Sequence, residues 1–226
     1  MPLRKGRAVT IAPNEFNALE TIHGRWIDLQ NREIWIHGID MNNDSEYAGK
    51  EPGVEYMMAT RVIKNLHFLR HKSPSKPVVV NLHTCGGMWE EGMAIYDTIM
   101  AMPYHVTVIS YTHARSMSSI ILQAADRRIL MPNSYFMFHW GEYWFGSDAA
   151  QKAFSNVDFS RKVQNRTMLE IYVQKARNSR KFKGWSEARI RSYLKSQMDK
   201  KIDVFLTPEE AIEWGFADEV FSQWPS

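Results

Sequence analysis

The most informative segment of the sequence is VTVISYTHARSMSSIILQAA, residues 106–125. Its first part, Val106 to Tyr111, is typical of a strand, and an apolar, helix-like run begins after Ser116. A chain that breaks abruptly from strand to helix presents the side chain at the break and directs unpaired backbone N–H groups into the same space. Ser116 therefore has what a nucleophilic serine needs, an accessible hydroxyl beside donors for an oxyanion.

The segments before this stretch alternate between strand and helix patterns. The run Glu33–Gly38 is predicted to be a strand, and Val78–Leu82 is a short apolar strand of the buried, parallel type. Apolar residues recur at helical spacing over 54–69, and a second helix follows the Gly86-Gly87 turn. This order is typical of parallel crossover units, so we expect an α/β fold.

The second half of the chain carries a long helix pattern and clear end signals. A helical stretch is predicted from about Ala149 to Arg177. Thr207-Pro208-Glu209-Glu210 is a capping box with proline at the first helical position, and Gly215 ends that short helix.

Length and composition indicate an ordinary globular protein. The 226 residues suit one domain, 44% of them are hydrophobic, and the net charge of +3 is too small to imply a nucleic-acid partner. No apolar run is long enough for a membrane span, and no histidine spacing fits a metal site. We therefore expect no nucleic acid, no membrane, no metal and no cofactor.

The single cysteine and the start of the chain bear on location. Cys85 is the only cysteine, which excludes an intramolecular disulfide and favours a reducing compartment. The basic start Met1–Arg7 lacks the apolar core of a secretion signal and is interpreted as a mobile arm. We expect a cytoplasmic protein.

Two residues elsewhere are candidate partners of the serine. His139 ends the strand pattern Tyr135–Phe138, and sites in α/β sheets form at the carboxyl ends of strands. Asp203 opens a strand, where its carboxylate would hold the imidazole tautomer. Asp199 is the alternative acid and Asp218 a more remote one. Taken alone, a histidine or a turn aspartate is more often structural than catalytic.

Four short motifs follow one another along the chain: a Gly-Gly turn, a segment with the candidate nucleophile, a segment that ends in a histidine, and a strand that begins with an aspartate. They are Thr84-Cys85-Gly86-Gly87, Arg115-Ser116-Met117, Pro132-Asn133-Ser134-Tyr135-Phe136-Met137-Phe138-His139 and Asp203-Val204-Phe205-Leu206-Thr207. In this order they resemble the ClpP family, the proteolytic subunits of ATP-dependent Clp proteases. The resemblance runs from about Arg32 to Phe221, and four ordered motifs are far more specific than one.

The resemblance implies a fold and a catalytic set. The fold is the ClpP/crotonase-like spiral of repeated β-β-α units, with about residues 148–178 as a protruding handle helix. The activity is that of a serine endopeptidase, in which Ser116 is the nucleophile, His139 the general base and Asp203 its orienting partner.

It also implies contacts with the substrate. The backbone N–H groups of Gly87 and Met117 would form the oxyanion hole, and Gly86, Trp140 and Gly141 would bind the substrate chain.

The assembly follows from the same resemblance. We expect a homo-oligomer, a double heptameric ring joined by the handle helices, that degrades unfolded polypeptides delivered by an AAA+ unfoldase. Residues 1–30 would be an N-terminal arm or pore segment, 31–222 the peptidase domain and 223–226 a tail. We expect such a protein to be located in a cytoplasm, in a plastid stroma or in the cytoplasm of a phage-infected host.

Several positions depart from the family pattern. Cys85 replaces a proline and Arg115 an alanine, and the glycine-rich strand after His139 becomes Trp140–Gly146. Val79 and Asn81 stand where aromatic residues line the unfoldase-docking pocket. We therefore expect a divergent member with an altered cleavage preference and weak docking of a standard unfoldase.

Three alternatives remain. Cys85 is a poor candidate nucleophile because no histidine motif is tied to it. A crotonase-like acyl-CoA enzyme shares the spiral fold and an oxyanion hole, yet does not need Ser116, His139 and Asp203. A proteolytically silent ring subunit typically lacks a triad residue, and none is missing here.

Overall fold

The computed structural model describes residues 13–37, 53–141 and 150–223 of the chain, and these contain nine strands. The strands are β1 Ile27–Asp28, β2 Glu33–His37, β3 Val78–His83, β4 Val106–Ser110, β5 Ala114–Arg115, β6 Arg127–Leu130, β7 Phe136–Phe138, β8 Val204–Leu206 and β9 Glu219–Val220. Six of them form one sheet in the order β1-β2-β3-β4-β6-β9, and β5-β7-β8 form a smaller one.

Helices separate most of the strands. They are α1 Pro13–Arg25, α2 Tyr56–Lys72, α3 Trp89–Met100, α4 Met117–Gln123, α5 Ala150–Phe159, α6 Asn165–Ala176, α7 Glu187–Lys201 and α8 Pro208–Trp214. A π-helical segment, Ser160–Gln164, joins α5 to α6, so the predicted long helix is one helical stretch. None of the described helices is long and apolar enough to cross a bilayer.

The large sheet is parallel from β2 to β9, and only β1 runs antiparallel at its edge. All five residues of β4 are buried, as expected for a strand with helices on both faces. Together with the helix order this confirms the predicted α/β class and agrees with the spiral fold.

The small sheet packs against an aromatic cluster. Phe136 and Phe138 of β7 contact Tyr172 of α6 and Phe216, with ring centroids 5.0–6.3 Å apart. These four side chains are all fully buried. Because ring packing of this kind contributes beyond simple burial, it fixes β7 relative to α6.

The local end signals act as predicted. The Thr207 hydroxyl accepts from the Glu210 N–H and the Glu210 carboxylate accepts from the Thr207 N–H, which completes the capping box of α8. Gly215 ends α8 in the left-handed conformation, with a φ of 82°.

Part of the segment predicted as an arm packs on the domain. Trp26 and Ile27 are buried, and β1 pairs with β2 through Ile27 and Ile34. The guanidinium of Arg61 lies 4.0 Å from the centre of the Trp26 ring. Residues 26–28 thus complete the sheet edge, whereas residues 1–12 and 224–226 lie outside the described residues.

Candidate active site

The small sheet brings the three predicted site residues to one edge. Ser116 follows β5, His139 follows β7, and Asp203 precedes β8. Strands β5 and β7 are parallel while β8 is antiparallel, so the ends of the first two and the start of the third coincide. The register pairs Phe138 with Val204, which sets Asp203 beside His139.

The three side chains form a hydrogen-bonded chain. His139 Nε2 lies 2.9 Å from Ser116 Oγ, and His139 Nδ1 lies 3.1 Å from Asp203 Oδ1. An acidic acceptor at Nδ1 selects the tautomer whose Nε2 can take a proton from the serine. This is the geometry required to activate a serine hydroxyl.

The backbone of Ser116 is strained. Its φ of 50° and ψ of −129° are unfavourable for a residue with a side chain. Hydrogen bonds hold it there: its N–H donates to the Met137 carbonyl at 3.2 Å, and its carbonyl accepts from the Ser119 N–H at 3.0 Å and hydroxyl at 2.6 Å. The strain turns the hydroxyl out of the strand-to-helix break, as the sequence pattern predicted.

The Gly86-Gly87 turn passes directly beside this serine. Gly86 has a φ of 105°, and a Cβ there would lie 2.7 Å from the Met117 nitrogen and 2.8 Å from Ser116 Cβ. Only glycine tolerates both the conformation and the approach. Gly86 thus contributes space at the serine.

Gly87 is held by a strand-like bridge to Val54. In this bridge the Val54 N–H donates to the Gly86 carbonyl, and the Met88 N–H donates to the Val54 carbonyl at 2.9 Å. A parallel bridge of this type directs the N–H of the bridged residue itself to the opposite side. The Gly87 N–H therefore points away from Val54, and the Met117 N–H belongs to the first turn of α4, which has no intrahelical acceptor.

A cleft of about 690 Å³ adjoins the serine. Its walls come from the Gly-Gly turn, the starts of α3 and α4, the end of β7, and the long helical stretch. The lining residues are Gly87, Met88, Trp89, Glu90, Ser116, Met117, Ile120, His139, Gly141, Asn156, Phe159, Ser160, Gln164, Asn165 and Met168. The volume is in the range of sites that enclose a small ligand or a side chain.

Trp140 is oriented differently from the other predicted substrate-binding residues. Its indole Nε1 donates to Asp199 Oδ1 at 2.8 Å, and its side chain lines a neighbouring groove with Lys195 rather than the serine cleft. Gly141 borders both. The rest of the altered strand, residues 142–146, lies outside the described residues.

The alternative acids have other partners. Asp199 accepts from Lys195 Nζ at 2.6 Å as well as from Trp140, and these hydrogen bonds lower the pKa of its carboxyl. Asp218 is bound by Arg128. Asp203 is the acid that contacts the histidine.

Arg115 neither faces solvent freely nor lines the serine cleft. Burial acts to lower the pKa of its guanidinium, but hydrogen bonds to Cys85 and Tyr135 outweigh burial and raise it. Cys85 therefore lies against Arg115, while His139 contacts Ser116 and Asp203. This arrangement disfavours Cys85 as the nucleophile. No group of three or more acidic, histidine or cysteine side chains suited to a metal occurs within the described parts of the chain.

One buried and one partly buried polar contact at the site were not predicted. The Tyr172 hydroxyl lies 2.7 Å from Ser119 Oγ, and Gln164 Nε2 donates to Glu90 Oε1 at 3.1 Å. Each pair joins residues more than fifty positions apart, so nothing local in the sequence signals it.

Comparison with known proteins yields one family. A sequence model of the Clp protease family matches residues 49–223. The ATP-dependent Clp protease proteolytic subunit of Deinococcus radiodurans is 28% identical over 172 residues, which cover 75% of this chain and 77% of that protein.

Proposed function

This chain belongs to the Clp protease family as a divergent member, and on that premise we propose that it is a serine endopeptidase acting through Ser116, His139 and Asp203. The observation that carries the proposal is the hydrogen-bonded chain from Ser116 Oγ through both imidazole nitrogens to Asp203. A peptidase activity is what the family match supports. The serine mechanism is the chemistry that this arrangement fits best.

In the proposed reaction, Ser116 Oγ attacks the carbonyl carbon of a peptide bond while His139 Nε2 takes its proton. The tetrahedral intermediate collapses, the C–N bond breaks, and His139 returns the proton to the leaving amine. Water then attacks the acyl-enzyme with His139 again as base, which releases the acid and restores the serine. Asp203 stabilises the imidazolium formed in both halves.

The oxyanion formed in each half needs donors. The N–H groups of Gly87 and Met117 are the proposed pair, since neither is used by the Val54 bridge or by the first turn of α4. Loss of one such donor typically lowers kcat by about 100- to 1000-fold.

We propose that the chain assembles into a double ring through the long helical stretch. Phe154 is 74% exposed, Phe159 is 56% exposed and Val163 is 45% exposed, whereas Leu169 and Val173 farther along are buried in the domain. An apolar half-helix of this kind needs a covering surface, and a second copy offers one. Unfolded polypeptides are the proposed substrates, delivered by an AAA+ unfoldase. Static light scattering that finds a monomer at micromolar concentration would contradict the ring.

One of the two positions expected to line the unfoldase-docking pocket, Asn81, lies in the interior of the domain. Asn81 is buried, its amide donates to Glu33 Oε2 at 3.1 Å, and it accepts from the Tyr111 hydroxyl at 2.9 Å. Val79 is half-buried. An aromatic residue that contacts a docked loop of an unfoldase contributes about 1 kcal/mol to binding. We therefore propose that this protein binds a generic bacterial unfoldase weakly and that Val79→Tyr improves the binding.

Labelling with a fluorophosphonate probe, followed by mass-spectrometric mapping, tests the nucleophile. We expect the label on Ser116 and none in Ser116→Ala, which should also lose peptide hydrolysis. Ser118→Ala is the neighbouring control for labelling, because its hydroxyl hydrogen-bonds to Arg115 rather than to His139. A label elsewhere, or undiminished hydrolysis by Ser116→Ala, would overturn the assignment and favour the acyl-CoA or silent-subunit alternatives.

The acid is tested by a matched pair of variants. Asp203→Asn should lose most of the rate through the wrong imidazole tautomer. Asp199→Asn removes a similar carboxylate four residues earlier and should keep the rate. The reverse result would identify Asp199 as the acid.

A further inference from the structure

The cleft beside Ser116 carries an uneven distribution of charge. Among the described residues that line it, Glu90 is the only acidic one, and none is lysine or arginine. His139 and the backbones of Gly87 and Met117, the proposed oxyanion donors, line the same cleft. The substrate side chain nearest to it is therefore that of the residue whose carbonyl would be attacked.

The wall next to the serine is apolar. Met117, Ile120 and Met168 line it and are each less than 5% exposed. Such a wall fits the alkyl portion of a long side chain, because burying methylene groups against apolar side chains is favourable.

The polar part of the cleft offers acceptors. Gln164 is only 8% exposed, and because a carboxylate can only accept, the atom it shares with Glu90 Oε1 must be the amide nitrogen. This orientation leaves the amide oxygen of Gln164 and the second carboxylate oxygen of Glu90 as acceptors. Together they suit a group that brings several N–H donors and a positive charge.

We propose that this cleft selects lysine or arginine on the amino side of the cleaved bond, with Glu90 and Gln164 as the specificity-determining pair; the proposal rests on the proposed peptidase function. An acidic side chain would meet the Glu90 carboxylate and find no cation in the lining. A purely apolar side chain would displace water from the Glu90–Gln164 pair without replacing its hydrogen bonds.

The expected preference for basic over neutral side chains is moderate. Glu90 is exposed, so water weakens its attraction for a cation. We expect removal of its charge to shift the relative rate of basic and neutral substrates by about tenfold, which equals about 1.4 kcal/mol.

The experiment measures kcat/KM for fluorogenic peptides that differ only at the residue before the cleaved bond. Lysine, arginine, methionine, leucine and glutamate are compared, with methionine as a neutral side chain of similar length to lysine. We expect the basic peptides to be cleaved fastest and the glutamate peptide slowest. Faster cleavage of the methionine or leucine peptide by the unaltered protein would overturn the proposal.

Two variants locate the effect. Glu90→Gln should lower the lysine-to-methionine ratio of kcat/KM about tenfold, because it removes the charge and keeps the shape. Glu91→Gln is the matched control, since it removes an adjacent carboxylate of α3 that does not line the cleft, and should leave the ratio within about twofold. Equal shifts in both variants would contradict a local role.

Fluorophosphonate labelling of each variant separates this proposal from the proposed function. A labelled Ser116 with no basic preference contradicts the selectivity of the cleft alone. An unlabelled Ser116 in the unaltered protein contradicts the serine mechanism itself.

Discussion

Removal of the Ser119 hydroxyl tests how the fold holds the strained nucleophile. Ser119 Oγ lies 2.6 Å from the Ser116 carbonyl oxygen and 2.7 Å from the Tyr172 hydroxyl. A carbonyl can only accept, so Ser119 donates to Ser116 and must accept from Tyr172. Tyr172 is fully buried, which raises the pKa of its phenol and keeps it a donor. Helix α6 thereby supports the β5–α4 turn through one buried serine.

The hydrogen bonds that each variant removes determine the expected loss of unfolding free energy. Tyr172→Phe removes one buried hydrogen bond and leaves the Ser119–Ser116 contact, at a cost of about 1 kcal/mol in unfolding free energy. Ser119→Ala removes both contacts and leaves the Tyr172 hydroxyl buried without an acceptor, so we expect the free energy of unfolding to fall by about 2 to 3 kcal/mol. The double variant no longer contains the orphaned hydroxyl, and its cost should fall short of the sum by about 1 kcal/mol.

The assay is urea unfolding followed by tryptophan fluorescence at one fixed protein concentration, because the proposed assembly would contribute to apparent stability. The rate of Ser116 labelling by a fluorophosphonate is the second readout, and it should fall in Ser119→Ala. Tyr96→Phe is the control: among the described residues the Tyr96 hydroxyl has no hydrogen-bond partner, so its loss should cost less than about 0.5 kcal/mol. Additive costs for the double variant, or an unchanged labelling rate, would contradict a role of the Ser119 hydroxyl in holding Ser116.

Other perturbations test the turn, the core and a helix end. Gly87→Ala places a Cβ against the Val54 backbone at a φ of 141°, so it should lower the free energy of unfolding in urea by at least about 2 kcal/mol and stop peptide hydrolysis. Gly24→Ala is the control: a Cβ at Gly24 meets open space, so the free energy of unfolding should change by no more than about 1 kcal/mol. Burial raises the pKa of Tyr104 to about 12, above the value of about 10 in the unfolded chain, so its stabilisation is complete below about pH 10 and declines as the pH rises toward 12. Tyr104→Phe should flatten that alkaline decline of the urea midpoint, and an unchanged slope would show that other groups cause it. Thr207→Ala should lower unfolding free energy by about 1 kcal/mol through loss of the capping box, and no change in the urea midpoint would count against that contribution.

Features that depend on neighbouring residues follow from the amino-acid sequence alone. The apolar run before Ser110, the break at Ser116 and the capping box at Thr207 are all present in the structure where the pattern predicts them. Such features arise from backbone conformation, side-chain period and hydrogen bonds within a few residues, which a linear pattern contains. The order of the four motifs also indicates the Clp protease family, and the match to the model of that family confirms it.

The contacts between distant residues are evident only from the three-dimensional structure. Asp203 and Asp199 were both candidates in the sequence, and the antiparallel pairing of β8 with β7 puts Asp203 at His139 while Trp140 and Lys195 bind Asp199. The same holds for the pairs Ser119–Tyr172 and Glu90–Gln164, which were not predicted. Their contacts result from how helices pack on sheets, and packing depends on the shape and burial of the whole core rather than on any local pattern.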